Sequence, residues 1–318
     1  ETWEKIIFDS EFKLGAKILK GSWNVPSGKE DYYEVKYGTY PCLDGSTVAV
    51  PMAVEFARQI LDLSDQDAKD FVCFNTTHHA YENLIYSRPN PGAMIRSTNC
   101  FLDESHPVDL IIATEPSAEE LALARENRVK LYIQPICYDA FVFITHKDNP
   151  VESLTVQEIQ KIYTGKITNW KEVGGLDARI ELYQREKNSG SQTAMENLVM
   201  QGLPMLPPTM TKVAVGMGEL VDAVAEYQNA PSSLGYTYQY YIDTLYKNEN
   251  IKVLRINGKS SAPENLRNGV YPFSTRYYGV IRQTDMQNTG GRFLNWMLSD
   301  EGQKCIAQAG YVPLKELN

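Results

Sequence analysis

No apolar run in this 318-residue chain approaches the ~20 residues of a membrane-spanning helix, which excludes a helical span from the sequence as given. The start, Glu1-Thr2-Trp3-Glu4-Lys5, has none of the pattern of a signal peptide. Any export signal or lipid anchor is therefore expected to have been removed or never to have existed. Cysteine is sparse: Cys42, Cys73, Cys100, Cys137 and Cys305 are odd in number and without Cys-x-x-Cys spacing. Neither a zinc site nor a dense disulfide framework follows from that spacing, and the five read as mostly buried thiols with at most one or two bridges. Positive charge is in deficit, 31 Lys and Arg against 40 Asp and Glu, a net charge of −9. Such a chain has no basic field to attract nucleic acid or an anionic membrane. Histidine is rare as well. His78 and His79 are neighbours whose side chains do not face the same way, and His106 and His146 lie in unrelated contexts, which weighs against a metal site. There is no Gly-x-Ser-x-Gly elbow, Walker loop, dinucleotide fingerprint or His-Glu-x-x-His.

What is present is an ordinary globular composition, 43% hydrophobic and 22% charged, in a chain long enough for one large domain or two of usual size. One stretch organises it: Tyr183-Gln184-Arg185-Glu186-Lys187-Asn188-Ser189-Gly190-Ser191-Gln192-Thr193, ahead of a helix-like run from Ala194 to Met200. A strand-like approach through Ile180 and Leu182 delivers an arginine, then a polar turn with glycine, then hydroxyls where a helix begins. Free amides and the positive end of the helix dipole gather at such a point. Arg185, Ser189, Ser191 and the Gly190 amide could then hold a tetrahedral oxyanion. The alternative is that Ser189 or Ser191 only caps the helix. No histidine is placed by the sequence near this clamp to serve an enzyme as base.

The same strand, turn and helix pattern recurs. Tyr40 to Thr47, with Asp44-Gly45-Ser46-Thr47 at its end, leads into an apolar periodicity from Met52 to Leu61. Phe71-Val72-Cys73-Phe74 reads as a short strand, then Asn75 to His79 precede a helix over Ala80 to Ile85. Val108 to Ala113 reads as a buried strand, followed by Thr114-Glu115-Pro116-Ser117; Ser117 with Glu120 forms a capping-box pattern for a helix reaching Arg125. Ligands in open α/β sheets sit beyond the carboxyl ends of strands, where such turns collect. Strands alternating with helices place the chain in the α/β class.

Elsewhere the pattern predicts an amphipathic helix within residues 1 to about 30, two strand-like runs around Asp139, and a helix over Leu154 to Tyr163. A glycine-led helix start follows at Val215 to Val224, read as close packing rather than a ligand loop, then strands at Leu234 to Tyr238, Ile251 to Ile256 and Tyr277 to Ile281. Two helices close the chain, around Phe293 to Met297 and Cys305 to Ala309.

Several motifs in order carry a resemblance. Ile162-Tyr163-Thr164-Gly165-Lys166-Ile167-Thr168-Asn169-Trp170, the Arg185 to Thr193 clamp, Asp44 to Thr47, Tyr271-Pro272-Phe273 and Ser299-Asp300-Glu301-Gly302-Gln303 resemble the phosphate-binding proteins that serve ABC transporters. The resemblance runs from about residue 38 to 314 and implies a two-lobed α/β fold of the periplasmic-binding-protein type 2, with inorganic phosphate held between the lobes. It does not cover 1–37, which is left as an N-terminal extension, and it implies a first lobe of 38–140 plus 274–318 and a second lobe of 141–273. The implied phosphate ligands are Ser46, Thr47, Thr77 and Glu115 from the first lobe and Arg185, Ser189, Gly190 and Ser191 from the second. A non-enzymatic, extracytoplasmic monomer is implied, lipid-anchored or not, with a permease as partner and neither cofactor, metal nor nucleic acid. Another tetrahedral oxyanion such as sulfate or molybdate, or a sensing or adhesion module without a transporter, are the alternatives. The family usually has aspartate at the position of Glu115, and an acidic residue two positions after the arginine, where this chain has Lys187.

Overall fold

A computed structural model describes residues 40–90, 106–207, 210–214, 216–226 and 230–317. The expected N-terminal helix, the 1–37 extension, Cys100 and Val215 lie outside them. The chain divides into two compact units, crossing from the first to the second at Cys137/Tyr138 and back at Arg276/Tyr277. Helices and strands alternate through both, as the α/β patterning requires.

In the first unit Leu43–Gly45 runs parallel to Leu110–Ala113, Leu43 opposite Leu110 and Gly45 opposite Ile112. The strand Ser274–Arg282 pairs antiparallel on the other side, with Tyr278 opposite Ala113. Gly45 is required here by packing: a Cβ at this position would lie 2.2 Å from the Ile112 carbonyl oxygen. The helices Val50–Leu61 and Ala118–Glu126 follow strand-end turns, and Thr77–Ile85 follows a turn after the helix Asp65–Phe71. Tyr81, Leu84, Ile111, Ala113, Tyr278 and Val280 pack into one apolar cluster, so alternate residues of the strand 110–113 face these helices. The Ser117 capping box forms as its sequence predicts, both reciprocal bonds being present.

In the first unit one element differs from its expectation. Phe71 to Phe74 is not a strand: Phe71 ends a helix, Asp65–Phe71, whose first turn is capped by the Ser64 hydroxyl and carries Asp65 and Asp67. Four apolar residues mimic a strand, but Phe71 and Val72 are the buried end of that helix and its exit. The next amide, of Asn75, bonds to the Asp44 carboxylate rather than to a neighbouring strand.

In the second unit the strand Leu131–His146 enters as a single run through Asp139, whose Oδ1 accepts the amides of Ala140 and Tyr240. It pairs antiparallel with Ser233–Tyr238. That strand lies parallel to Glu181–Arg185, which in turn lies parallel to Lys212–Ala214. The core between is aromatic: Phe141, Phe143, Tyr163 and Tyr236 pack tilted or edge-on against one another with ring centroids 5.5–6.2 Å apart. The helix Val156–Tyr163 covers it, started by a Thr155–Glu158 capping box. Of the cysteines, Cys42, Cys137 and Cys305 are buried and Cys73 is half-buried.

Candidate functional site

Arg185 closes the strand Glu181–Arg185 opposite Ala214 and so stands at the carboxyl end of parallel strands, where loops and ligands collect in α/β sheets. Arg185 is 8% exposed. Nε donates to the Ala214 carbonyl at 3.0 Å and an NH group to the Ser191 hydroxyl at 3.4 Å. Two partners fix its backbone amide: the Tyr236 hydroxyl at 3.0 Å and the Gln192 side-chain oxygen at 3.3 Å. Tyr236 in turn donates to that same Gln192 oxygen. The arginine is thus held at both ends before any ligand arrives.

After Arg185 the chain turns through Asn188, which takes a left-handed φ of 64°, a conformation asparagine tolerates better than most residues. Ser189 is extended, and its hydroxyl accepts the Gln192 amide at 3.2 Å, the N-cap bond that the capping alternative anticipates. The cap and the anion clamp are compatible. Capping takes up the Gln192 amide, while Gly190 and Ser191, the first residues of the helix, have amides with no intrahelical acceptor. Tyr238, two residues after Tyr236 on the same face of its strand, donates to the Gly190 carbonyl at 2.9 Å and fixes the turn from below. The helix starts as Gly190–Ala194 and widens to π geometry over Met195–Met200, a change that the apolar pattern does not reveal.

Desolvation pulls the Arg185 guanidinium below its ordinary pKa, and the nearby Glu186, Tyr236, Tyr241 and Glu219 oppose that shift. Arginine stays protonated through any such shift in a protein. A cation removed from water in this way favours an anion that can replace its lost hydration. With Lys187 exposed at the position where the resembled family is acidic, Glu186 and Glu219 are the carboxylates whose fields reach Arg185.

The four expected first-unit ligands lie on three neighbouring turns. Ser46 is buried, and its amide donates to the Ile112 carbonyl at 2.9 Å, locking this turn to the next strand. Thr47 beside it is exposed, at the start of a 3₁₀ turn. Thr77 is buried as the first residue of the helix Thr77–Ile85. Glu115 is exposed, and its Oε1 accepts the Tyr278 hydroxyl at 2.7 Å. Tyr81, one turn into the helix 77–85, donates to the Thr114 carbonyl at 2.8 Å, and His78 contacts the buried Glu120 at 3.1 Å. These bonds join the Thr77 turn to the Glu115 turn. Burial pushes the Glu120 carboxyl above its ordinary value, while bonds from Ser117 and His78 oppose the rise. His78 therefore has a structural partner, and no group of His, Cys, Asp and Glu suited to a metal occurs among the described residues.

Sequence reasoning passed over the supporting residues: Tyr236, Gln192 and Ala214 behind the arginine, Tyr278 beside Glu115, and Asp44 beneath the Ser46 and Asn75 turns. The only local trace of them is the period-two alternation that puts Tyr236 with Tyr238 and Tyr278 with Val280.

Turns that present hydroxyls and amides, with the buried Arg185 at the carboxyl end of a parallel strand, stand on an α/β fold. The chain belongs to the PBP superfamily, whose domain model matches residues 97–301, more than half of its length. Among curated proteins it is similar to the phosphate-binding protein PstS of Borreliella burgdorferi, 25% identical over 183 residues that cover 56% of this chain and 64% of that protein. The alignment thus spans just under two thirds of that relative. The phosphate-binding protein PstS of Bacillus subtilis is 24% identical over 239 residues, covering 68% of this chain and 75% of that protein. Among solved structures, a chain assigned as a phosphate ABC transporter substrate-binding protein from Clostridium perfringens, with phosphate bound, superposes with a TM-score of 0.63 at 26% identity. That match covers 86% of this chain and 98% of the other. An ABC-type phosphate transport receptor from Vibrio cholerae shares the fold, with a TM-score of 0.58 at 18% identity and coverage of 85% and 98%.

Proposed function

We propose that this protein is a non-enzymatic, extracytoplasmic receptor that captures inorganic phosphate and delivers it to an ABC transporter permease. The observation that carries the reading is the buried Arg185, prepositioned by Ala214, Tyr236 and Gln192 beside the capped turn Ser189-Gly190-Ser191. The similarity to the phosphate-bound Clostridium perfringens protein supports it. Arg185, Ser189, Gly190 and Ser191 are assigned to the anion from the second unit, and Ser46, Thr47, Thr77 and Glu115 from the first. The protein acts as a monomer, and its net charge of −9 speaks against a nucleic-acid partner. Among the described residues no helix is long and apolar enough to cross a membrane.

Glu115 sets the choice of anion in this reading. Tyr278 occupies one of its oxygens, and the other carries no protein hydrogen bond among the described residues. Near neutral pH phosphate keeps a proton that it can donate to this oxygen, whereas sulfate has only lone pairs to offer an ionised carboxylate. Glu115 is exposed; in this reading the bound anion covers its oxygen, and an acceptor covered but left unpaired rejects an analogue by roughly 10⁴-fold or more where the site is built to accept a hydrogen. Titration calorimetry at fixed ionic strength is expected to show phosphate binding that equimolar sulfate does not disturb. Glu115→Gln, whose amide can donate, is expected to weaken phosphate binding and narrow the gap. Sulfate displacing phosphate from the unaltered protein at comparable concentration would overturn the ligand and the role of Glu115 together.

A further inference from the structure

Beneath the first-unit turns lies a carboxylate that the reading above leaves without a role. Asp44, at the middle of Leu43–Gly45, is fully buried. Its Oδ1 accepts the backbone amides of Gly45 at 2.7 Å and Asn75 at 2.9 Å. Its Oδ2 accepts the side-chain amides of Asn75 at 2.8 Å and Asn83 at 3.0 Å. A group that takes four N–H donors and gives none is an ionised carboxylate. No Lys, Arg or His pairs with it among the described residues. Asn90 closes the network, accepting from Asn75 at 2.9 Å and donating to the carbonyls of Leu43 at 3.0 Å and Cys73 at 2.7 Å.

The four donors come from two turns and one helix. The Gly45 amide directly precedes Ser46 and Thr47; the Asn75 amide lies two residues before Thr77; Asn83 sits on the helix that Thr77 begins. Stability alone would not place a charge here. Desolvation pushes the Asp44 carboxyl above its ordinary value, and the bonds from Asn75, Asn83 and Gly45 only oppose that rise. With the folded value raised, this group favours folding most when protonated, and that contribution is lost as pH rises through the folded value. At neutral pH the buried charge therefore works against the fold, and an anion under an anion site also works against the ligand's charge. What it provides is a common anchor: one acceptor fixes the spacing of two turns that no strand pairing joins among the described residues.

We propose that Asp44 is a positioning residue for phosphate, its carboxylate tying the Ser46-Thr47 turn to the Thr77 helix start so that both present their hydroxyls and amides in one fixed geometry. The inference rests on the phosphate reading of those turns, and it adds a residue that touches no ligand. Sites of this kind lose affinity when first-rank groups drift by about half an ångström. The test is calorimetric titration of inorganic phosphate into the full chain and into Asp44→Asn. The carboxamide matches the carboxylate in shape but turns a donor toward the Asn75 or Asn83 amide. Phosphate affinity is expected to fall at least about tenfold, the scale of one buried group left unsatisfied, at a temperature where circular dichroism shows the variant folded. Adding Asn83→Asp, which restores one carboxylate to the network, is expected to recover most of the loss; a purely structural weakening would not be recovered this way. If Asp44→Asn does not fold, Asn83→Ala decides, since it keeps Asp44 and places a good helix former on the helix. It is expected to weaken binding at least threefold. A Kd within threefold of the unaltered protein for folded Asp44→Asn, or failing that for Asn83→Ala, overturns the inference while leaving the phosphate reading intact. An unaltered protein that does not bind phosphate at all would instead overturn that reading, and this inference with it.

Discussion

Arg185 spends one N–H on the Ala214 carbonyl and directs another at Ser191, so its planar fork is oriented by the protein and not by the ligand. Preorganisation of this kind removes the cost of freezing a long side chain at the moment of binding. Arg185→Ala is expected to lose about 2–4 kcal/mol of phosphate binding, the cost of taking a charged partner from a desolvated anion. The fold should persist, because the bonds that hold the turn run from Tyr236 and Tyr238 to the backbone and to Gln192. Calorimetric titration with circular dichroism checks both halves, and a near-normal Kd in the variant would remove the arginine from the site. At this scale the second-unit turn was legible, because Arg185, Ser189, Gly190 and Ser191 are close in sequence and their chemistry is local. Asp44 was not legible as an anchor, since Asn75 and Asn83 lie 31 and 39 residues away. The Tyr278 hydroxyl reaches Glu115 across 163 residues, a distance over which no pattern in the sequence gives a pairing.

The elements that position the first-unit turns meet at close quarters around Gly45. A methyl group there would press on the Ile112 carbonyl and on the Phe74 ring at 2.9 Å, and the backbone of a paired strand cannot yield as a flexible side chain can. Gly45→Ala is expected to destabilise the protein by about 1–3 kcal/mol, as overpacking does. Phosphate affinity should drop with it, because the Ser46 amide bonds to that same carbonyl. Chemical denaturation beside a phosphate titration reads the two effects; a variant as stable as the parent would mean that the strands can spread at no cost. Elements were legible where a local rule decides them. The capping box at Ser117 and the strands expected at 234–238 and 277–281 formed as their patterns indicate, within Ser233–Tyr238 and Ser274–Arg282. Phe71 to Phe74 failed because four apolar residues carry no period, and the choice there was made by Ser64 upstream and by Asp44 taking the Asn75 amide. The π stretch after Ala194 likewise has no signature in its composition.

Over the whole molecule, charge and site pull in opposite directions. A net charge of −9 repels small anions at long range, so the proposed capture of phosphate rests on dipoles, hydroxyls and one arginine acting within a few ångströms. The same composition weighs against a nucleic-acid partner and says nothing about phosphate. The division of the chain matters in a different way. One unit is continuous in sequence, while the other is interrupted and regains the chain only from Tyr277 onward. On the ribosome, then, the continuous unit has its strands before the interrupted one receives Ser274–Arg282, the strand that pairs with Leu110–Ala113. Residues 277–318 follow a few seconds later at roughly 5–20 residues per second. They bring Tyr278 to Glu115 and Gln303 to the carbonyls of Ile136 and Met297, so the earliest-made turns are the last to be secured. Until then the strand 110–113 offers unpaired backbone to any passing chain, a hazard for the nascent protein that the finished one no longer shows. A chain stopped at Arg276 is expected to yield a protease-resistant fragment covering about 138–276 while 40–137 is cleaved, and equal protection of both segments would show that the first unit matures without its ending.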